Sequence, residues 1–499
     1  MNVAVRTQST TDQATEHFDV LIVGAGISGI GSAYHLTKQL PSTSFVVLEA
    51  KDSFGGTWIT HRYPGVRSDS DLHTFGYRFK PWVGPPIATA NEILAYMNEV
   101  IDENDLGRHI RYKHKINSAS WSSEKHLWTI EAVTTDGETK TFTANFLWMC
   151  QGYYRHSEGY TPEWKGMDKF TGRIAHPQTW PDDIDLTGKK VVVIGSGATA
   201  ATLLPAIADK CAHVIMLQRS PTYFRVGRNA IEIAEELRRL QVDEAWIHEI
   251  VRRKIVFEED AFTKRCIAHP EAVKKELIAQ ISKILGPDYD VETHFTPSYR
   301  PWRQRIAFVP DADLFKGIAS GKASVVTDEI ECFAEKGIQL KSGKLLEADI
   351  IVTATGFNLC ALGDIAFEID GKVLEFGDTV TYRGMMFTGV PNMVWVFGYF
   401  RASWTLRVDL VADFVCRLLG HMKEKRAKKV EVRLRPEDHK MPILPWIDPE
   451  NFNPGYIMRN MHLLPKRGDK PEWQHSQDYW TEREDIPKAN LDDKAFVYR

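Results

Sequence analysis

The chain has 499 residues, 43% of them hydrophobic and 26% charged, with a formal net charge of −4. These values are typical of a globular protein of about two to four domains, and the absence of a basic excess argues against nucleic acid or an anionic membrane as a partner. The six cysteines form no C-x-x-C motif, which argues against a disulfide framework and against a redox dithiol.

The first 16 residues are polar and lack the apolar core of a signal peptide. No apolar run in the sequence approaches the roughly 18 residues that a membrane span requires. We therefore predict a flexible N-terminus at residues 1–16, no membrane span and a cytoplasmic location.

The next segment has the pattern of a strand followed by a dinucleotide-binding turn. Residues 18–23 are largely apolar, as expected for a strand buried on both faces of a parallel sheet. The turn has the G-x-G-x-x-G spacing of Gly24, Gly26 and Gly29, and a helix through residues 30–40 should follow. The second strand, residues 45–48, ends at Glu49, 20 residues after Gly29. A carboxylate there suits an unphosphorylated ribose, which predicts FAD.

A second unit of the same kind begins at residue 190. An apolar strand, residues 190–194, leads into Gly195-Ser196-Gly197-Ala198-Thr199-Ala200, and a helix should run to about residue 208. The following strand, residues 213–217, ends at Gln218-Arg219 without a carboxylate. Arg219 with the adjacent Ser220 suits a 2′-phosphate, which predicts NADPH. The alternative is that Glu49 and Arg219 are only solvated strand ends.

Two further strands suggest how the chain divides. Residues 145–153 and 349–357 are both apolar, and each breaks at a glycine followed by an aromatic residue. They resemble the chain crossings between nucleotide domains in two-dinucleotide flavoproteins. We predict an FAD-binding domain at residues 17–155 and 355–499, with an NADPH-binding domain at residues 156–354 and its first hinge at residues 181–188.

Within the second domain, residues 231–240 and 271–285 carry apolar residues at helical spacing. We interpret them as a helical cap at about residues 225–300 whose apolar faces serve packing; the alternative is that the cap lines a substrate cavity. The predicted fold class is α/β, with two Rossmann-like dinucleotide-binding domains and a helical insertion.

The segment between the two turns resembles a family fingerprint. Residues 170–181 fit F-x-G-x-x-x-H-x-x-x-W-P, the pattern of type I Baeyer–Villiger monooxygenases in the flavin-containing monooxygenase superfamily; the matching residues are Phe170, Gly172, His176, Trp180 and Pro181. A second signature of that family, G-G-x-W followed by Y-P-G and an aspartate, matches residues 55–69. The likeness covers nearly the whole chain and is greatest to the ethionamide-activating branch, on residues 62–71, 193–200 and 398–405.

This resemblance implies a reaction. NADPH reduces FAD, dioxygen adds at flavin C4a, and the resulting peroxyflavin attacks a ketone to give an ester or lactone, with sulfoxidation of thioethers as a side activity. The alternatives are a flavin-dependent N- or S-oxygenase and an NADPH-dependent flavin reductase without oxygen insertion. The Trp180-Pro181 ending argues against the first, and the missing cysteine pair argues against the second. The small-molecule partners would be a ketone or thioether and dioxygen; the oligomeric state is not predicted.

The resemblance also implies catalytic residues. The reaction needs a fixed cation that stabilises developing negative charge, and by position Arg305 is the candidate, oriented by Asp69. The alternatives are that Arg305 forms a structural ion pair, or that Arg300 or Arg303 has the catalytic role. Gln304 stands where the family often has lysine. We assign His176 to hydrogen bonding at the hinge rather than to proton transfer, and Trp180 to packing there.

The remaining predicted site residues follow the same two cofactors. The predicted FAD residues are Gly24, Gly26, Ser28, Gly29, Glu49, Thr57, Trp58, Asp69 and Ile116. The predicted NADP residues are Arg67, Ser68, Gly195, Ser196, Gly197, Ala198, Thr199, Ala200, Arg219 and Ser220. The histidines show neither H-E-x-x-H nor paired ligand spacing, and G-x-S-x-G is absent, so we predict neither a metal site nor a hydrolase.

Overall fold

The structure, a computed structural model, describes residues 15–499. The predicted flexible N-terminus therefore lies outside the described residues as far as residue 14, and the first strand begins at Glu16. In the described part of the chain, no helix is both long and apolar enough to cross a bilayer.

The first third of the described chain contains the first nucleotide-binding turn. Its strands are β1 (Glu16–Val23), β2 (Phe45–Leu48), β3 (Ile110–Arg111), β4 (His114–Ser122), β5 (Leu127–Thr134), β6 (Thr139–Met149), β7 (Tyr154–Gly159) and β8 (Arg173–Ala175). Its helices are α1 (Ile27–Gln39), α2 (Thr57–Thr60), α3 (Leu72–Phe75) and α4 (Ala90–Glu103).

The middle third contains the second turn and the cap. Its strands are β9 (Lys190–Ile194), β10 (His213–Gln218), β11 (Phe224–Gly227), β12 (Ala307–Pro310), β13 (Ala323–Thr327), β14 (Ile330–Ala334), β15 (Gly337–Leu340), β16 (Leu345–Glu347) and β17 (Ile350–Thr353). Its helices are α5 (Ala198–Ile207), α6 (Glu232–Arg239), α7 (Glu244–Ala268), α8 (Pro270–Leu285), α9 (Val291–Phe295) and α10 (Asp313–Ala319).

The last third returns to the first sheet. Its strands are β18 (Phe357–Leu359), β19 (Ala366–Ile369), β20 (Lys372–Val373), β21 (Thr381–Tyr382), β22 (Met386–Phe387), β23 (Met393–Trp395), β24 (Val430–Val432), β25 (Leu444–Pro445), β26 (Lys466–Arg467) and β27 (Phe496–Tyr498). Its helices are α11 (Trp404–Lys425), α12 (Gly455–Met458) and α13 (Tyr479–Asp485).

Two separate sheets carry the two turns. The first has the order β20-β19-β4-β5-β6-β1-β2-β3, with β23 also paired to β6. The second is parallel throughout, in the order β13-β10-β9-β17-β8. Strands β1, β2, β9 and β10 match their predicted positions within two residues at each end. Each contains a run of buried apolar residues; β1 and β9 end at the glycine turns, while β2 and β10 end just before the charged residues Glu49 and Arg219. The predicted α/β fold with two Rossmann-like units is confirmed.

A two-stranded ribbon joins the sheets. Strand β7 follows β6, strand β18 follows β17, and the two pair antiparallel with Phe357 opposite Gly159 and Leu359 opposite Tyr154. The chain thus passes between the sheets twice at one place, next to the predicted boundaries at residues 155/156 and 354/355. The ribbon agrees in position with these boundaries, while the division into independent domains stays a prediction.

The cap contains a helix that the sequence pattern did not single out. The predicted helices at residues 231–240 and 271–285 correspond to α6 and α8, but α7, with 25 residues, is the longest helix among residues 15–499. It buries Ile247, Val251 and Ile255 while leaving Trp246 and Phe257 exposed, so its apolar residues are spread around the helix. A helix that contacts several surfaces lacks a single apolar stripe, which explains why periodicity missed it.

One arginine fixes α7 to the first half of the chain. Arg252 Nη1 donates hydrogen bonds to the carbonyl oxygens of His73, Thr74 and Gly76, at distances of 3.0, 3.1 and 2.9 Å. Arg252 Nη2 lies 3.6 Å from Asp409 Oδ2 on α11. These carbonyls lie at the C-terminal end of α3, where a helix lacks its own donors and favours a cation. Arg252 therefore attaches the cap, which lies in the middle third of the chain, to α3 in the first third and α11 in the last third.

Candidate active site

The first nucleotide turn opens into a cavity of about 560 Å³ at the carboxyl ends of β1, β2 and β6. The predicted flavin-site residues that line it are Gly24, Gly26, Ser28, Glu49, Thr57, Trp58, Asp69 and Ile116. Gly29 is the predicted residue that lies behind the cavity wall: a Cβ atom on it would be 1.8 Å from the carbonyl oxygen of Gly24. Its role is close packing of α1 against the turn.

The residues of this cavity fit a flavin dinucleotide. Helix α1 begins with Gly26 as its N-cap, and no side chain accepts from its first amides, which leaves backbone donors for a pyrophosphate. A Cβ atom on Gly26 would meet nothing closer than Gly56 Cα at 3.6 Å, so the approach to these amides is open. Glu49 is buried and accepts from the amides of Ala25 (2.7 Å) and Lys51 (2.9 Å). Each carboxylate oxygen still has a lone pair for a ribose hydroxyl.

The second nucleotide turn is also accessible. Gly197 is the N-cap of α5 without a side-chain cap, and a Cβ atom on it would have no neighbour within 4 Å. Gly195, in contrast, is packed against the backbone, since a Cβ atom on it would lie 2.3 Å from Ala354 O. Arg219 and Ser220 are exposed just beyond β10, and Arg219 forms no ion pair with any residue of the described chain. These positions are compatible with NADP binding, and their roles stay predictions.

Two predicted NADP residues have partners within the protein. Arg67 Nη1 lies 2.6 Å from Asp313 Oδ2, at the start of α10, so this ion pair joins the two halves of the chain. Arg67 Nη2 is buried and has no hydrogen-bond partner among residues 15–499, which leaves a donor for a ligand. Ser68 is buried and its hydroxyl donates to Ser70 O at 2.9 Å. Of the two, Arg67 keeps an unused donor.

Arg305 and Asp69 lie where two cavities meet. Both side chains line the 560 Å³ cavity and also a larger one of about 950 Å³. Arg305 Nη2 is 3.4 Å from Asp69 Oδ2, and the Arg305 side chain is 34% exposed. Asp69 raises the pKa of Arg305 above its usual value, outweighing burial, so the guanidinium keeps its charge. The arrangement places a permanent cation beside the predicted flavin site and facing the larger cavity.

The two alternative arginines lie elsewhere. Arg300 donates to the backbone oxygens of Pro301 and Asn451, and Arg303 lies 3.2 Å from Glu450. Neither side chain lines either cavity. Among the three candidates, Arg305 is the one in contact with the space that a substrate and a flavin would share.

Sequence reasoning missed several aromatic residues of the site. Tyr153 and Tyr154 line the 560 Å³ cavity, where FAD is predicted to bind. Their hydroxyl oxygens are 2.7 Å apart, and burial raises the pKa of both side chains. Trp404 lines the same cavity, donates from Nε1 to Ser28 Oγ at 2.7 Å and stacks on Tyr153. The sequence pattern around Gly152 and Tyr153 indicates a chain crossing but not a contact with the cavity. No local sequence pattern predicts the contact between Tyr153 and Trp404, because the two residues are 251 positions apart and only the fold brings them together.

The larger cavity is bounded by the cap. Helices α6 and α7 line it opposite Trp302, Phe400 and Trp480. The packing role preferred for the cap on sequence grounds is therefore incomplete: the same helices that pack on the protein also form a cavity wall. The alternative interpretation, a cap that lines a cavity, agrees with this geometry.

The fingerprint segment lies at the ribbon, away from both cavities. His176 Nδ1 accepts from the Gln178 amide at 3.1 Å, and Nε2 lies 3.3 Å from the carbonyl oxygen of Gly356, to which it donates. A Cβ atom on Gly159 would lie 1.9 Å from the His176 ring, so the imidazole packs directly on β7. Burial lowers the pKa of His176, and a neutral ring satisfies both bonds. His176 thus connects the fingerprint segment to both chain crossings.

The other fingerprint residues also pack rather than line a cavity. Phe170 is buried near Phe333, and Trp180 and Pro181 are half-buried. A Cβ atom on Gly172 would lie 2.3 Å from Asp349 O. A hinge role for these residues stays a prediction. No group of three or more histidine, cysteine or acidic side chains is arranged for a metal ion within the described chain.

Comparisons with known proteins define the family. The model for an NAD(P)-binding Rossmann-like domain matches residues 22–83, and the model for flavin-binding monooxygenase-like proteins matches residues 80–230. The FAD-containing monooxygenase EthA of Mycobacterium tuberculosis (strain ATCC 25618 / H37Rv) is 44% identical over 487 residues, covering 97% of this chain and 98% of that protein. The probable FAD-binding monooxygenase AlmA of Acinetobacter baylyi (strain ATCC 33305 / BD413 / ADP1) is 42% identical over 480 residues, covering 96% and 95%.

A solved structure agrees with these relatives. An oxidised steroid monooxygenase bound to NADP superposes with a TM-score of 0.75 at 25% identity, over 97% of this chain and 99% of that one. The likeness extends through both nucleotide-binding units and the cap. The chain belongs to the FAD-containing, NADPH-dependent flavoprotein monooxygenases of the Baeyer–Villiger type.

Proposed function

We propose that the protein inserts one oxygen atom from O₂ into a ketone to give an ester or lactone. The observation that carries this proposal is the Arg305–Asp69 pair at the junction of the flavin-sized cavity and the larger cavity. Bound FAD, reduced by NADPH, supplies the activation of O₂ and the transfer of one oxygen atom. The protein residues then have to hold the ketone and stabilise charge.

Arg305 is the proposed catalytic residue. Negative charge develops on the carbonyl oxygen of the ketone when the carbonyl carbon is attacked, and a fixed guanidinium stabilises it without reorganisation. Asp69 is a positioning residue: its carboxylate lies 3.4 Å from the guanidinium, orients it and compensates its charge. Because an arginine side chain stays protonated in proteins, the cation is present before the substrate binds.

The larger cavity is the proposed substrate site. Its walls combine aromatic and aliphatic side chains, which can bury an apolar substrate body, with polar and charged side chains that can orient a carbonyl group. A thioether would enter the same space and meet the same oxygen donor, so we include sulfoxidation as a side activity. The FAD site would belong to residues 17–155 and 355–499, and the NADPH site to residues 156–354, with the predicted residues of each turn binding the two cofactors.

The test is oxygen incorporation. Purified holoenzyme with NADPH and ¹⁸O₂ should convert linear and cyclic ketones into esters or lactones that carry one ¹⁸O, detected by mass spectrometry. Labelled sulfoxide from a thioether, with every ketone unchanged, would favour the N- or S-oxygenase alternative. Hydrogen peroxide with no labelled organic product would favour the reductase alternative and contradict the proposal.

Replacing Arg219 with alanine should change cofactor preference. Arg219 is exposed beside Ser220, where it would pair with a 2′-phosphate that NADH lacks. We expect the Michaelis constant for NADPH to rise about tenfold or more, equivalent to roughly 1.4 kcal/mol, while that for NADH changes little. Steady-state kinetics with both cofactors measures this ratio.

The matched control is Lys190→Ala. Lys190 is an exposed cation at the opposite end of the same sheet, ion-paired to Glu347 at 2.7 Å. This variant should keep the cofactor preference of the wild type. A preference for NADPH that survives in Arg219→Ala would contradict the assignment of Arg219.

A further inference from the structure

Arg401 lines the larger cavity as a cation without an acidic partner. Its Nη2 donates to the carbonyl oxygen of Trp302 at 2.9 Å and to Asn451 O and Oδ1 at 2.7 and 3.0 Å. Among residues 15–499, the buried Nε of Arg401 has no hydrogen-bond partner, and its Nη1 makes no hydrogen bond. No carboxylate of that part of the chain lies within 4 Å. The Arg401 charge is therefore compensated only by neutral oxygens.

The other cations of the cavity wall are all neutralised. Each is ion-paired with a neighbouring carboxylate; the pairs are Arg225–Glu259 at 2.6 Å, Arg228–Glu232 at 2.5 Å, Lys264–Asp260 at 2.7 Å, Arg305–Asp69 at 3.4 Å, and Lys254–Glu258. The remaining wall carboxylates are engaged or solvated: Asp71 and Asp478 cap α3 and α13, and Glu236 is exposed on α6. Arg401 is thus distinct in the wall of this cavity.

A second arginine increases the local positive charge. Arg300 Nη2 donates to the same Asn451 O and Oδ1 atoms, at 2.9 and 3.0 Å, so two guanidinium groups share one neutral residue. Burial, followed by repulsion from Arg300, lowers the pKa of Arg401 to about 10. A partly desolvated cation pair of this kind is stabilised when an anion binds beside it.

Apolar surface adjoins this charge. Trp302 and Phe400, both buried, line the same cavity together with Phe262, and the Arg401 guanidinium lies 5.4 Å from the centre of the Phe452 ring. Ala402, the next residue in the chain, lines both cavities, so this segment of the chain reaches the junction where Arg305 is found. A ligand that fits has an anionic end group and an apolar body.

We propose that the substrate is a keto acid whose carboxylate is bound by Nη1 of Arg401 while its carbonyl group faces Arg305. Several methylene groups would separate the two ends and lie against the aromatic wall. The ketone half of this inference rests on the proposed function; the carboxylate site does not depend on it. Arg401 is then the residue that selects acids over neutral ketones of the same length.

The first experiment measures binding without turnover. Oxidised holoenzyme is titrated calorimetrically with decanoate and with 1-decanol, which share a chain but differ in charge. We expect decanoate to bind at least tenfold more tightly, and Arg401→Gln to remove that difference while binding of 1-decanol is unchanged. Arg401→Gln keeps an amide donor for Asn451, and Arg401→Lys, which keeps the charge, should restore most of the preference.

The control and the contrary outcomes are equally direct. Arg253→Gln removes an exposed cation on the outer side of α7 and should leave both affinities unchanged. Equal affinity of the wild type for decanoate and 1-decanol would overturn the carboxylate site. Equal weakening of both ligands in Arg401→Gln would overturn it too, because it would indicate general damage to the cavity.

The second experiment separates this inference from the proposed function. We expect the wild type to oxygenate 9-oxodecanoate with a kcat/KM at least tenfold above that for its methyl ester, and this ratio to approach one in Arg401→Gln through a higher KM for the acid. If the wild type oxygenates none of the three ketones (9-oxodecanoate, its methyl ester and 2-decanone), the result counts against the proposed function. The binding experiment with decanoate would still decide whether Arg401 forms a carboxylate site. Oxygenation of the ester and the acid with equal efficiency by the wild type would overturn the assignment of keto acids.

Discussion

Arg305→Ala should lose ester formation by a factor of about 10² to 10³, the usual cost of removing one preorganised group that stabilises a developing oxyanion. Arg305 lies between the flavin cavity and the larger cavity, held 3.4 Å from Asp69. The buried Glu49 and the glycine turn do not depend on it, so the variant should remain yellow and continue to oxidise NADPH. The electrons from NADPH should then reduce O₂ to hydrogen peroxide, and no oxygen should be inserted into the ketone.

Two variants sharpen this result. Arg305→Lys keeps a positive charge but loses the planar fork that matches a carboxylate, so ester formation should fall by less than in Arg305→Ala. Arg303→Ala removes an arginine two residues away that lines neither cavity, and it should retain ester formation. The measurement is the ratio of ester formed to NADPH consumed. A normal ratio in Arg305→Ala, or a loss of ester formation in Arg303→Ala, would show that the role does not belong to Arg305.

Gly29→Ala should abolish flavin binding by disrupting the fold of the first turn. An added Cβ atom would lie 1.8 Å from Gly24 O and 3.0 Å from Gly24 C, and both are backbone atoms that cannot rotate away. Overpacking of this kind costs about 1–3 kcal/mol or more, and here the displaced segment is the turn that faces the predicted pyrophosphate site. We expect a colourless protein with a lower melting temperature.

Other glycines serve as controls for the same added methyl group. Gly420→Ala, on α11, places the new atom in open space and should be neutral or slightly stabilising, because alanine favours helix more than glycine does. In Gly26→Ala the new atom meets nothing closer than Gly56 Cα at 3.6 Å, so the apoprotein should fold while flavin affinity falls. Flavin absorbance per protein and the melting temperature separate these cases. Full flavin content and an unchanged melting temperature in Gly29→Ala would contradict the packing argument.

The parts of the fold that the sequence predicted are those dictated locally. Each βαβ unit combines a buried apolar strand with a glycine turn, and the backbone geometry of the turn fixes the spacing of the glycines. The strands β2 and β9 therefore have their predicted limits. The pair of Arg305 and Asp69, 236 residues apart in the sequence, was expected from family resemblance, and periodicity alone could not have joined them.

The parts that the sequence did not predict depend on contacts between distant segments. Helix α7 has no single apolar stripe, and the hydrogen bonds from Arg252 to three carbonyls at the end of α3 have no local sequence signature. Likewise, Arg401 differs from the other cations of the larger cavity because no carboxylate of residues 15–499 lies within 4 Å of it, and this depends on the three-dimensional fold. Residues 398–405, which contain Arg401, resemble the ethionamide-activating branch, but this resemblance does not indicate that Arg401 lacks a nearby acid. Trp404 and Tyr153 contribute to the site for the same reason, since the fold brings them together.

The attachment of the cap has a mechanical consequence. Helix α7 lies within residues 156–354, the predicted NADPH-binding domain, yet Arg252 attaches it to α3 in the predicted FAD-binding domain. A rotation of one sheet against the other must therefore strain this fastening or change the separation of the cavity walls. If the larger cavity holds the ketone, as we propose, we expect a bulky ketone to hold the two halves of the chain at one angle, so that the rate of NADP release varies with the size of the bound substrate.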